Sequence, residues 1–151
     1  MKNRKENDMC TCINLKTKDC YFGRNLDLDY RFQEKVVITP RNYEFKLKNG
    51  KKFATKYAMI GMATVVDAYP LYAEAANEKG LSIAGLYFPN NAYYKENEKD
   101  KINITPFELI PWILGNFATI KELTNVIYDI NMINIPFHSD LRLAPLHWMI
   151  S

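Results

Sequence analysis

The sequence predicts an α+β fold built on a layered sheet, and three observations carry that expectation. From Cys10 to Phe88 short β-rich segments alternate with polar turns; from Thr105 to Ile130 apolar residues recur three and four apart behind two capping boxes; from Leu146 to Ser151 an apolar, strand-like run returns. The chain of 151 residues, 48% hydrophobic and 13% aromatic, can bury the core of one domain, which excludes a disordered tail or a fibre.

Each element has its own local reason. Cys10–Leu15 and Cys20–Leu26 flank Lys16-Thr17-Lys18-Asp19, a connection of hairpin length and polarity, so two antiparallel strands are expected. Val36–Thr39, ending at Pro40, and Tyr57–Val66, after the basic glycine-bearing stretch Lys46–Lys52, read as further strands. Asn77-Glu78-Lys79-Gly80 supplies a turn whose glycine can take positive φ, and Leu81–Phe88 follows as a β-rich segment. Asn90–Asn103 reads as a polar loop. Thr105 with Glu108 forms a capping box with Pro106 at the first helical position, and Phe107, Ile110, Leu114 and Phe117 then share one helical face. Pro111, which lacks an amide donor, is expected to kink or loosen that helix. Thr119 with Glu122 starts a second helix through Leu123, Val126, Ile127 and Ile130, completing a helical hairpin. Leu146–Ser151 resembles a strand that has only begun, and ending there suggests a layered sheet whose other half is missing.

Charge and composition exclude several function classes. Twenty lysines and arginines against 17 aspartates and glutamates leave +3, too small and too mixed to make nucleic acid the default partner. The longest apolar run, Ala58–Val66, falls far short of the roughly 18 residues of a membrane-spanning helix. The leader Met1–Met9 carries Lys2, Arg4 and Lys5 but no apolar stretch, so it is no secretory signal and a cytoplasmic location is expected. Cys10, Cys12 and Cys20 make an odd, clustered set that reads as free thiols.

Cys10, directly after Met9, has the most chemical potential. Translation starting at Met9, or clipping of the leader, would leave it as the first residue. A cysteine there carries its own base: a free α-amine titrates near ~7.7–8.0 and a thiol near ~8.5, so a well-placed amine can take the thiol proton near neutral pH. The facing strand carries Arg24 and, just beyond it, Asp27. An arginine favours a thiolate and an aspartate can orient an α-ammonium, although an Arg-x-x-Asp pair taken alone is more often a surface ion pair.

Met9-Cys10-Thr11 followed by Phe22-Gly23-Arg24-Asn25-Leu26-Asp27 resembles the start of the choloylglycine hydrolase family, which contains bile salt hydrolases and penicillin V acylases. The resemblance continues in order through Thr55-Lys56-Tyr57-Ala58, Gly61-Met62, Tyr69-Pro70, Asn77-Glu78-Lys79-Gly80-Leu81, Ala84-Gly85-Leu86, Phe88-Pro89, Ile135-Pro136 and Leu146-His147-Trp148-Met149-Ile150-Ser151. It implies an N-terminal nucleophile hydrolase with a four-layer αββα sandwich, of which this is the first half, cleaving a linear amide without metal or cofactor. It also implies a small-molecule amide substrate, a conjugated bile salt or penicillin V, and a homotetramer for the complete enzyme. On the matching positions Cys10 is nucleophile and base, Arg24 lies beside the thiol, Asp27 holds the amine, and the backbone amide of Tyr87 contributes to the oxyanion hole. Leu26, Ala73, Phe137, Leu141 and Leu146 match apolar substrate-pocket positions, for each of which ordinary core packing is the alternative.

Three departures shape the expectation. The chain ends where relatives continue with a second oxyanion-hole asparagine and a further arginine, so it reads as the N-terminal part of the domain, residues 10–151, and as inactive if it is a fragment. Residues 1–9 give Cys10 an amide nitrogen instead of an amine, so the leader is expected to be removed or untranslated. Tyr87 stands where bile salt hydrolases usually carry asparagine, as in penicillin V acylases, while the blocks elsewhere rank bile salts slightly ahead.

The remaining signals are weaker. Cys10, Cys12 and Cys20 with His138 and His147 match no standard zinc spacing. His138-Ser139-Asp140 invites a hydrolase triad, yet adjacency in sequence is not triad geometry. Asp67 and Glu74 invite a reading as paired carboxylates, though turn and surface roles explain both.

Overall fold

The computed structural model describes residues 10–26 and 31–151. The N-terminal hairpin is present: β1 (Thr11–Lys16) and β2 (Cys20–Asn25) pair antiparallel from Thr11 opposite Asn25 to Lys16 opposite Cys20. After β3 (Lys35–Thr39) comes a second hairpin of β4 (Glu44–Lys46) and β5 (Lys52–Ala54), within and beside the basic stretch that carried no strand expectation. Phe45 and Phe53 face each other there, their rings stacked 5.2 Å apart, so two aromatic side chains hold the short pair.

β6 (Met59–Val66), β7 (Tyr69–Asn77), β8 (Ser82–Tyr87) and, at the end of the chain, β11 (Leu146–Ile150) join β3 in a five-stranded antiparallel sheet of order β11-β8-β7-β6-β3. Within this sheet β7 is the strand that carried no sequence expectation; it contains Pro70 and an alanine-rich run, features that disfavour strands. Its pairing with β8 spans only Glu74–Ala76, so Pro70 faces β6 alone and its missing amide disrupts no central ladder. Asp67 and Ala68 join β6 to β7, both with left-handed backbone (φ 50° and 60°), the twist that a two-residue hairpin turn requires. The expected turn at Asn77–Gly80 has Gly80 at φ +88°, and Asn77 Oδ1 accepts from the amides of Lys79 and Leu81.

The stretch Asn90–Asn103 is not wholly a loop. Its end enters β9 (Ile102–Ile104), which pairs in parallel with β10 (Ile130–Met132). The first helix, α1 (Leu109–Asn116), begins later than its capping box predicts. Half of the box is formed one turn upstream, where Thr105 N donates to Glu108 Oε2 at 2.9 Å and Glu108 N to Thr105 O at 3.0 Å. The later start places Pro111 in the first turn, where no amide has an intrahelical acceptor, so the expected kink does not arise. The second box forms at Thr119, whose Oγ1 accepts from Glu122 N, but α2 (Ile120–Thr124) is a single short helix. A turn of 3-10 helix (Ile127–Asp129) then leads into β10, so Ile130 belongs to a strand and the expected helical hairpin is cut short.

The core lies between one face of the sheet and the helices. Met59, Ala63, Tyr72, Ala75 and Ile83 meet Leu109, Ile110, Ile113 and Leu114 of α1 and Leu123 of α2, all buried. Each large aliphatic side chain so buried contributes roughly 1.5–3 kcal/mol. Because side chains alternate along a strand, Glu74 and Ala84, adjacent to Ala75 and Ile83, face the opposite side, and there the hairpin β1–β2 docks through Arg24. Helices, sheet and hairpin thus form successive layers of an α+β fold. No helix among the described residues is long and apolar enough to cross a membrane.

Candidate active site

Cys10 is half-buried and immediately precedes β1, whose first amide, Thr11 N, donates to Asn25 Oδ1 at 2.5 Å. Two residues on, Cys12 lies directly opposite Arg24. Cross-strand partners share a face, so Cys12 and Arg24 both point toward the central sheet, while Cys10 lies just before the first paired position of the hairpin.

The Arg24 side chain is only 3% exposed. Its Nη1 donates to Glu74 Oε2 at 3.0 Å and its Nη2 to the carbonyl oxygen of Gly85 at 2.6 Å, while Nε has no hydrogen-bond partner among the described residues. A buried guanidinium needs this company, since an unpaired charge in that position costs several kcal/mol. Burial raises the Glu74 carboxyl above its ordinary value, with Arg24 acting against the rise. Burial also pushes the Cys12 thiol up; Arg24 opposes that shift and Glu74 adds to it, so the three groups sense one another.

A β-bulge shapes this corner. Met62 pairs with Glu74 and Ala63 with Tyr72, leaving Ala73 as the extra residue of β7. A side chain at Gly85 would lie 3.4 Å from Trp148 Nε1, 3.5 Å from Leu146 Cδ1 and 3.7 Å from the Ala73 carbonyl. Tyr87 closes β8 opposite Leu146. Leu146 N donates to Tyr94 Oη at 2.8 Å, and Tyr94 Oη donates to Ala144 O at 2.7 Å. Arg24, Ala73, Leu146 and Tyr87 are therefore gathered around Gly85.

Other expected site residues stand apart or outside view. Asp27 lies outside the described residues, as does the leader, residues 1–9. Leu26 is half-buried just after β2. Phe137 packs on Tyr69 and Phe107, at 5.4 and 5.2 Å between ring centroids, with the Lys48 ammonium 4.9 Å from its own centroid. Tyr69 begins β7, four residues before Ala73. Leu141 is exposed in a loop, bridged to His138. His138, Ser139 and Asp140 make contacts of 3.3–3.5 Å within one exposed turn, with serine and aspartate on the same ring nitrogen, an arrangement that relays no proton.

Glu74 is the residue that sequence reading assigned to the surface. Its alternation with Ala73 and Ala75 marks a strand face, but the Arg24 side chain that covers it comes from fifty positions away, and no local pattern carries that. Asp67 remains a turn residue. Among the described residues no group of three or more histidine, cysteine, aspartate or glutamate side chains is placed to hold a metal.

The family model for linear amide C–N hydrolases of the choloylglycine hydrolase family matches residues 10–151. A bile salt hydrolase/transferase from Lactiplantibacillus plantarum is 47% identical over 143 residues, covering 95% of this chain and 44% of that protein. One from Clostridium perfringens is 42% identical over 147 residues, covering 95% and 45%. Among solved structures, a variant of the conjugated bile acid hydrolase from Clostridium perfringens superposes with a TM-score of 0.87 at 38% identity, over 95% of this chain and 44% of that one. A penicillin V acylase from Agrobacterium tumefaciens, at 19% identity and a TM-score of 0.63, shares the fold. The chain thus spans a little under half the length of the curated relatives it matches.

Proposed function

This chain belongs to the choloylglycine hydrolase family of linear amide C–N hydrolases, and from that premise we propose that it is the N-terminal part, residues 10–151, of a cysteine N-terminal nucleophile amidase acting on glycine- or taurine-conjugated bile salts. One observation carries the reading: a buried, doubly tethered cation, Arg24, stands across the hairpin from Cys12, two residues along the chain from Cys10. The bile salt hydrolases among the relatives support the choice of substrate.

In this reading residues 1–9 are absent from the working enzyme, and the freed α-amine of Cys10 takes the thiol proton. The thiolate attacks the amide carbonyl carbon, and the oxyanion is met by the backbone N–H of Tyr87. The C–N bond breaks as the α-ammonium returns its proton to the leaving glycine or taurine. The amine then deprotonates a water that cleaves the thioester and frees the bile acid. Asp27 orients the amine, and Arg24 favours the thiolate. Leu26, Ala73, Phe137, Leu141 and Leu146 receive the apolar acyl group. No metal or cofactor takes part, and the complete enzyme is a cytoplasmic homotetramer.

Tyr87 favours a second reading. A tyrosine narrows the site and offers an aromatic face where asparagine would offer both a donor and an acceptor, which suits penicillin V.

The deciding experiment measures hydrolysis of glycocholate and penicillin V by the purified protein, with its intact mass read in parallel. Turnover confined to molecules that begin at Cys10, abolished by Cys10→Ala and retained by Cys12→Ala and Cys20→Ala, is expected. Loss of turnover in a folded Cys12→Ala variant would count against Cys10 as sole nucleophile. No turnover of either substrate by chains beginning at Cys10 would leave residues 10–151 a non-catalytic partial domain.

A further inference from the structure

We propose that Glu74 is the positioning residue for Arg24: its carboxylate, with the Gly85 carbonyl, holds the guanidinium against the cysteine-bearing strand. The inference deepens the amidase reading and rests on it for its catalytic meaning, but its geometry stands independently.

Three observations converge. An arginine side chain has several rotatable bonds, and Arg24 must cross from the hairpin to the central sheet to find partners. Both terminal nitrogens are engaged there, one by Glu74 at 3.0 Å and one by Gly85 at 2.6 Å. Two acceptors on two different strands fix the plane of the group, whereas either alone would leave it free to rotate. The nitrogen left without a partner among the described residues is Nε, buried and on the part of the side chain nearest its own strand. That strand pairs with Cys12 in register, and Cys10 lies two residues before Cys12 in the chain.

The second observation is the bulge. The extra residue at Ala73 changes which side chains of β7 face the hairpin, and Glu74 follows it directly. Bulges are common where a side chain must be re-aimed beside a functional site. The third is the neighbouring Gly61. A Cβ there would collide with the Glu74 carbonyl and with Ala75, so the close approach of β6 to β7 leaves Glu74 little freedom to shift. Its side chain is 25% exposed against 3% for Arg24, so the carboxylate forms the outer wall of the pair and the guanidinium lies inside.

Among the described residues the charged or titratable groups at this corner are Cys12 from β1 with Cys10 two residues before it, Arg24 from β2 and Glu74 from β7, and following Cys12 alone makes the sign of its titration diagnostic. Glu74 has two effects on the Cys12 thiolate. Its own negative charge opposes the thiolate, and by holding Arg24 it keeps a positive charge nearby. A neutral side chain that still accepts from Nη1 removes the first effect only; a side chain that cannot accept removes both and releases Arg24.

The test follows iodoacetamide alkylation of Cys12 against pH in this chain, resolved by peptide mass spectrometry. Glu74→Gln should move the alkylation midpoint down and Glu74→Ala should move it up, each changing the rate at a fixed pH below the midpoint roughly threefold, half a pH unit. A downward shift in Glu74→Ala, or no shift, would show Glu74 to be a bystander charge and overturn the assignment. If Glu74→Ala does not fold, Glu74→Asp carries the test, since it keeps a negative charge but falls one methylene short of Nη1 and so releases Arg24; its midpoint should rise, and an unchanged or lowered midpoint rejects the idea. None of these readouts needs turnover. A wild-type protein that hydrolyses no amide would sink the amidase reading and leave the positioning result standing. Where turnover is present, Glu74→Ala should lower kcat about tenfold or more with KM within about twofold, because a misplaced Arg24 affects the reacting thiol more than substrate binding.

Discussion

Arg24 Nη2 donates to the carbonyl oxygen of Gly85 at 2.6 Å, tying the N-terminal hairpin to the middle strand of β11-β8-β7 two residues before Tyr87. Arg24→Met should therefore loosen the hairpin as well as remove a charge. The Glu74 left behind is partly exposed and can rehydrate, so the cost should be about 2 kcal/mol, below the range for a fully buried pair. Hydrogen exchange should show protection lost in Thr11–Asn25 ahead of the central sheet; uniform loss would contradict a local tie.

Asn77 should be a larger single contributor to stability. Its amide nitrogen donates to Leu114 O at 3.0 Å and Phe117 O at 2.8 Å, covering carbonyls at the end of α1, while its oxygen accepts from two turn amides. Asn77→Ala strands these groups in a buried setting and should cost about 3 kcal/mol by urea titration. A loss below about 1 kcal/mol would mean that water replaces the bonds.

Gly61→Ala should be among the worst small substitutions in the chain. The added methyl would meet the Glu74 carbonyl and the Ala75 side chain across the strand pair, and backbone cannot yield as a flexible side chain can. A loss of about 3 kcal/mol is expected in thermal melts, with Arg24 released as β7 shifts. A melt unchanged from wild type would show that β6 and β7 can separate at this point without cost.

The pH dependence of stability should carry the mark of Glu78. Arg41 and the amide of Ala58 both donate to its carboxylate and hold its pKa down to about 2. The folded value is depressed, so the contribution is complete above the unfolded value near 4.5 and is lost as pH falls from there through about 2. Urea midpoints of wild type and Glu78→Gln should differ at pH 6 and converge near pH 2; parallel curves would refute the linkage.

On the proposed amidase reading, Tyr87→Asn tests substrate choice. It should shift relative turnover from penicillin V toward glycocholate by about tenfold, since an asparagine amide can bond a polar leaving group that tyrosine cannot address in the same way. An unchanged ratio would remove Tyr87 from the specificity argument.

Much of this molecule is local and therefore legible in its sequence. The β1–β2 hairpin, β3, β6, β8 and β11 follow from short apolar segments and polar turns, and the Asn77–Gly80 turn from one glycine. The expectations that failed were local ones too. The capping box at Thr105–Glu108 is real, but the chain spends it on a turn before α1, and the helical period through Ile130 gives way because β9 offers Ile130–Met132 a partner strand. Propensity yields to pairing when the partner arrives from a distant part of the chain.

The sequence by itself determined the family blocks, the α+β order of elements and the candidacy of Cys10 and Arg24, because each is written in neighbouring residues. Only the tertiary structure decided that Glu74 is the partner of Arg24, that Ala73 is a bulge, and that Phe137 packs with Tyr69 and Phe107 while Leu146 stands beside Gly85. These are contacts between residues tens of positions apart. They are selected by the burial of one guanidinium and by the register of antiparallel strands, and neither leaves a periodic trace in the chain that makes them.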